Sequence, residues 1–207
     1  MTGPELLALL AEEDPRAALA ASSRLAETLG TPPDLARFGA LVEIETALLF
    51  AWDPILRLAA LLPSQPAPIA AAAARLGLSD ADRRRLIASL PDPTLRIVSF
   101  LSPREMRRVL YRIGTEAFRD RVLLAWAGST RTAAAAQWRM LHVYAETWTP
   151  PEFPISDAEI RAAGVRDGAL LDEVRREVES WWIDLDFTDD KMAAVERLKS
   201  VAQGLAY

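Results

Sequence analysis

Helix-start signals recur from one end of this chain to the other, and they constrain the fold more than any other feature. Thr2 and Glu5 are spaced as a capping box, with Pro4 in the first turn. Asp14-Pro15 opens a second helix that Gly30 is placed to end, and "PDLARFGALVEIETALLFAW" reads as a third, largely apolar one. Asp53-Pro54 repeats the cap-then-proline signal ahead of "ILRLAALL". Ser79 with Asp82 starts a helix closed by Pro91 and Pro93, and Ser102-Pro103 with Glu105 starts one ended by Gly114. Segments from Thr115 to Gly128, from about Arg131 to Thr147, from Ser156 to Gly164, from Gly168 to Phe187 and from Thr188 to Gln203 complete the series. No alternating run of β-branched and aromatic residues competes with these signals. The expected fold is all-α, a multi-helix bundle or array of about ten or eleven helices.

Two proline-rich joints interrupt the series. One is "PSQPAP"; the other, "TWTPPEFP", is the better boundary and divides the chain into a helical body over 1–149 and a helical tail over 150–207. A chain of 207 residues buries enough surface to fold without metal or disulfide. Cysteine is absent, which removes disulfides, thiolate catalysis and Cys-based zinc or iron–sulfur sites. The opening "MTGPELLALL" lacks the basic region and sustained apolar core of a signal peptide, and runs such as "IAAAAARLG" are too short to cross a bilayer. A soluble cytoplasmic protein without a membrane partner is expected.

Charge is unevenly spread. Residues 1–74 hold nine acids and four bases, and residues 152–207 hold thirteen acids and seven bases. Between them, residues 75–121 hold eleven arginines against six acids, so the net charge of −5 hides a basic middle between acidic ends. In the helix after Ser102, Met106, Val109, Leu110 and Ile113 have the spacing of a core face. Arg104, Arg108 and Arg112 follow one another four residues apart on another face, with Arg107 beside them. Like charges so spaced repel, so the row calls for acidic partners elsewhere in the fold or for a polyanion such as an RNA backbone. Arg83, Arg84 and Arg85 point in different directions around their helix, and at most two share a face.

Little else carries chemistry. His142, the single histidine, has neither a second histidine for a metal nor the context of a Ser–His–Asp triad. Asp184 and Asp186 form a D-x-D, but on a helix residues two apart point about 200° from each other and share no metal. Val174, Val178, one of Trp181 and Trp182, and Leu185 make an apolar stripe. Asp172 and Arg176 on the opposite side are spaced for an i, i+4 pair. No residue reads as catalytic and none as a metal ligand.

Three segments occur in order: "RLGLSDADRRRL" (Arg75–Leu86), "RRVLYRIGTEAFRDRVLLAWA" (Arg107–Ala127) and "FPISDAEIRAAGVRDGALLDEVRREVESWWI" (Phe153–Ile183). Together they resemble the C-terminal half of bacterial CCA-adding tRNA nucleotidyltransferases, the family shared with bacterial poly(A) polymerase. The likeness runs over about Asp34 to Phe187. Asp80 stands where that family usually has Asn, Asp157 where it often has Gly, and "VRDG" replaces a proline-containing loop. The family's chemistry lies in an N-terminal head with Gly-Ser and D-x-D holding Mg²⁺ and the nucleotide phosphates, and in a neck that reads the incoming base. Neither string occurs here. The resemblance therefore implies a body and tail that hold tRNA or another structured RNA. Mg²⁺ and ATP or CTP would then be bound only in that head, and a separate nucleotidyltransferase head chain is one partner the resemblance allows. The RNA-contact candidates it favours are Arg104, Arg107, Arg108, Arg112, Arg84 and Arg166, meeting phosphates and the shape of the A-form helix. The rival reading is a stand-alone helical scaffold for protein–protein contact that does not bind RNA.

Overall fold

The computed structural model describes residues 1–129, 134–166, 168–188 and 190–204, and among them it contains thirteen α-helices and no strand. The chain forms two compact units, Met1–Ser102 with Arg112–Thr147, and Pro103–Tyr111 with Trp148–Tyr207. The second takes in a stretch well upstream of residue 150, a discontinuity that no linker signal in the sequence announces. No helix among the described residues is long and apolar enough to cross a membrane.

In the first unit, α1 (Gly3–Leu10), α2 (Arg16–Ala21), α3 (Leu25–Leu29), α4 (Leu35–Leu48), α5 (Pro54–Leu61), α6 (Pro66–Leu76), α7 (Asp80–Ala88) and α9 (Thr115–Ala127) surround one apolar core, and α10 (Ala135–Thr147) packs on α9. The eighth helix, α8 (Pro103–Ile113), contributes only its last two residues here. Helix α5 is its axis, buried at every position from Ile55 to Leu61 and packed on α1, α4, α7 and α9. Side-chain caps start the helices where the sequence placed them: Thr2 and Glu5 bond each other's backbone amides, and Asp53 accepts from Ile55 and Leu56 at 3.0 and 3.1 Å. At the crossing of α1 on α6, a Cβ on Gly3 would stand 2.1 Å from the Leu76 carbonyl oxygen, so the two backbones approach directly.

Thirteen helices exceed the ten or eleven expected, for two physical reasons. The segment from Asp14 to Gly30 is two helices, α2 and α3, separated at Ser22–Arg24. Leu19 and Leu25 are both buried, yet in a continuous helix six residues would set them about 120° apart around the axis. The break lets both face the core. Helix α6 begins inside "PSQPAP": Pro66 and Pro68 occupy its first turn, where a missing N–H costs no hydrogen bond. The proline-rich joint is therefore also a helix start. The expected start of α10 at Arg131 lies outside the described residues.

The second unit contains the first nine residues of α8 together with α11 (Asp157–Ala162), α12 (Ala169–Asp184) and α13 (Lys191–Gly204). Ile155, Ile160, Leu171, Val174, Val178, Leu198 and Val201 form its core. Ser156 and Glu159 make the capping box read from sequence. Lys191 and Ser156 together hold the Glu159 carboxyl down at about 2. Helix α12 stops at Asp184 rather than reaching Phe187, because Asp186 and Phe187 adopt left-handed backbone with φ of 58° and 62°. That reversal returns Phe187 onto Trp182, Tyr111 and Trp148, with ring centroids 5.1, 5.2 and 5.7 Å apart. Trp182 is buried and donates its indole N–H to the Thr188 carbonyl at 2.7 Å, while Trp181 is only half-buried. Leu185, expected on the apolar stripe, is displaced by the same reversal and is exposed. Arg176 donates to the backbone carbonyl of Asp172.

Candidate functional site

Two places gather charged side chains, one in each unit. In the second unit, the arginine face of α8 meets the end of α12. Arg107 forks onto Asp186, with Nε at 2.8 Å from Oδ1 and Nη2 on Oδ2. Arg108 Nη2 lies 2.8 Å from Asp184 Oδ1, and Arg104 donates to the Asp184 backbone carbonyl. The Arg107 fork holds the Asp186 carboxyl below the ordinary carboxylate range, with the nearby Arg104 charge adding to it. The D-x-D is thus not a pair of helical carboxylates pointing apart. Asp186 lies beyond the helix end, and both carboxylates are held by guanidiniums. Of the two partners the row left open, acidic groups within the fold are present for Arg107 and Arg108.

The remaining candidates are solvent-facing. Arg112 and Arg84, both in the first unit, and Arg166 in the second are exposed and make no hydrogen bond or ion pair among the described residues. Asp167, which the sequence sets beside Arg166, lies outside the described residues. Arg83 pairs with Asp80 at 2.8 Å, and Arg85 points inward, so the three consecutive arginines have three different environments.

The second place is a cavity of about 710 Å³ in the first unit that no motif announced. At its wall Arg85 binds three carboxylates: Asp53 at 2.6 Å, Asp120 through a fork at 2.8 and 3.0 Å, and Glu116 at 3.5 Å. Asp120 is buried, and burial raises its carboxyl while Arg85 opposes the rise. Glu45 is fully buried behind the same wall. Its Oε2 accepts from Arg57 Nε at 2.7 Å, and its Oε1 has no partner among the described residues. Burial raises the Glu45 carboxyl too, again against the pull of its arginine.

His142 completes the cavity. Its ring stacks on Phe50 with centroids 4.5 Å apart, and its Nε2 accepts from Arg119 Nε at 3.2 Å. The neutral ring therefore carries its proton on Nδ1, which is buried without a partner. Burial, with the Arg119 charge behind it, pushes the imidazole down to about 4. The sequence disclosed Asp53 only as a helix cap and Arg85 only as one of a surface run. Their meeting with Asp120 brings together three helices, α5, α7 and α9, and local periodicity carries no trace of it.

The chain matches no protein-family model, and no curated protein sequence matches it.

Proposed function

We propose that this chain is an RNA-holding helical region of a nucleotidyltransferase that extends RNA 3′ ends, with the transfer chemistry supplied by a separate head. The observation that carries the reading is the arginine face of α8. Arg104, Arg108 and Arg112 stand at four-residue spacing with Arg107 between the first two; Arg107, Arg108 and Arg112 fall inside the middle of three segments that resemble the CCA-adding and poly(A)-polymerase family in order, and Arg104 lies just before it. The Arg108–Asp184 pair is open to solvent, with side chains 37% and 49% exposed. Pairs this exposed contribute about 0–1 kcal/mol, so a phosphate can replace the carboxylate at small cost. Arg84 and Arg166 add exposed cations outside that row, and Arg112 within it keeps its guanidinium free among the described residues.

The test is binding of tRNA by the chain at about 50 mM salt, with and without the combined change Arg104→Glu, Arg108→Glu and Arg112→Glu. Binding that weakens steeply as salt rises, and that the triple change abolishes, is the expected result. Absence of binding, or indifference to the triple change, overturns the reading. Incubation with tRNA lacking its 3′ end, ATP, CTP and Mg²⁺ is expected to give no extension by this chain alone.

A second reading, a helical scaffold for protein contact, draws on the pairing of Arg107 and Arg108 with Asp186 and Asp184. Under it the same triple change lowers the unfolding temperature while no tRNA binding is found in either protein.

A further inference from the structure

We infer that the turn after α12 is a built-in phosphate mimic, whose carboxylates, Asp184 and Asp186, hold Arg108 and Arg107 until RNA phosphates displace them. That role rests on the RNA reading and adds to it a competitor built into the chain.

Three observations carry it. The first is geometry. Arg107 meets Asp186 with two prongs, Nε at 2.8 Å from Oδ1 and Nη2 on Oδ2. A guanidinium grips two oxygens of a phosphate in the same way, so the carboxylate stands where a phosphate would. Next along α8, Arg108 Nη2 lies 2.8 Å from Asp184 Oδ1. The second is access. Side chains in the Arg107–Asp186 pair are 26% and 34% exposed, and those of the Arg108–Asp184 pair are more open still. Ion pairs this accessible contribute little and give way to a competing anion.

The third is how the turn is held. Asp186 and Phe187 both adopt left-handed backbone, though neither is glycine. Such backbone is unfavourable and persists where its surroundings fix it, often at functional sites. Here the surroundings are apolar: Phe187 packs against Trp182, Tyr111 and Trp148, and the Trp182 indole N–H donates to the Thr188 carbonyl at 2.7 Å. Rings, rather than the ion pairs themselves, fix the turn that presents the carboxylates to α8. With no RNA bound, the carboxylates offset the repulsion among Arg104, Arg107 and Arg108; when RNA arrives, they oppose it. The face then holds RNA less tightly than its arginines alone would, and releases it sooner.

The experiment compares tRNA binding at about 50 mM salt by the full chain and by the double variant Asp184→Asn with Asp186→Asn. Asparagine keeps the shape, tolerates left-handed backbone, and leaves the Asp184 carbonyl that Arg104 meets. A control, Asp157→Asn with Glu177→Gln, removes the same charge from two other pairs of the unit, whose carboxylates are 45% and 48% exposed. The expected result is about fivefold to tenfold tighter binding in the first double variant and less than about twofold in the control. Equal tightening in both would reflect general charge and overturn the mimic. Unchanged or weaker binding in the first overturns it too, while the RNA reading stands. No tRNA binding by the wild type removes the RNA reading and the mimic together. Circular dichroism checks folding, and Asp184→Asn alone decides the matter if the double variant unfolds. Its expected gain is about twofold to threefold, and unchanged affinity overturns the mimic.

Discussion

The two units bury different things. The first encloses charge: Arg57 and Glu45 are both fully buried, Asp120 is nearly so, and His142 sits among them. The second encloses rings: Trp182, Phe187, Tyr111, Trp148 and Phe153 contact one another, while its ion pairs keep to half-exposed side chains. Even Tyr111, the polar member of that group, turns its hydroxyl to Glu179 at 2.6 Å, and burial together with that acceptor raises its pKa. Buried charge depends on complete pairing and fails abruptly when one partner is lost; apolar packing fails in proportion to the atoms removed. The first unit is therefore the more brittle to single polar substitutions, and the second to truncation of one large ring.

The largest expected effect tests that brittleness. Arg57→Met leaves the Glu45 carboxylate buried without its partner and removes donors from three backbone carbonyls, so a loss of about 3–5 kcal/mol is expected in urea unfolding. Adding Glu45→Leu to it is expected to recover a large part, because the isolated charge is then gone. If the double variant is no better than the single one, charge isolation is not the cause. In the second unit Trp182→Ala is expected to cost about 3–5 kcal/mol, since it removes the ring that Tyr111, Phe153 and Phe187 all contact. Near-ultraviolet dichroism and urea unfolding check it. A loss under about 1 kcal/mol would mean the ring cluster collapses to fill the space.

A pH-dependent contrast comes next. His142 is held near 4 in the folded chain against an ordinary 6.5, so the unfolded chain binds more protons between those values. Stability from this group is complete above about 6.5 and is lost as pH falls through 4, by about 3 kcal/mol in all. Asp120 and Glu45, whose carboxyls are raised, act in the opposite sense over the acid range. The histidine contribution is therefore the difference in pH slope between the wild type and His142→Gln. Because the chain has one histidine, its ring titration is also directly visible, and a midpoint near 6.5 would contradict the burial argument. The smallest effect is a gain. Leu49 is 91% exposed yet adopts left-handed backbone with φ of 55° at the end of α4. Leu49→Gly is expected to raise stability by about 1 kcal/mol, measured by thermal unfolding.

The contrast also explains what the sequence disclosed. Features set by a few adjacent residues were legible: the Thr2–Glu5 and Ser156–Glu159 capping boxes, the Asp53 cap, and Gly30 ending α3 with φ of 73°. Of the tryptophan pair, one was expected to lie deeper, and Trp182 does. Features set by distant partners were not. The Ser22–Arg24 break answers the burial of Leu19 and Leu25, and the reversal at Asp186 answers the ring cluster that receives Phe187. The arginine row of α8 was legible as a row needing anions. That Asp184 and Asp186 supply two of them depends on the turn after α12, which helical periodicity continued straight through.

Arg57 has one more consequence. From the middle of α5 it donates to the carbonyls of Leu10 and Glu13 at 2.8 and 3.2 Å, and to that of Glu12, closing the end of a helix more than forty residues earlier. The last turn of α1 cannot fray unless this guanidinium withdraws from the core. The amides of Ala11 and Glu12, bonded to Leu7 and Leu9 on exposed residues, are thus expected to exchange with solvent deuterium as slowly as amides inside α5. A stretch that looks like a loose surface end would open only when the centre of its unit opens.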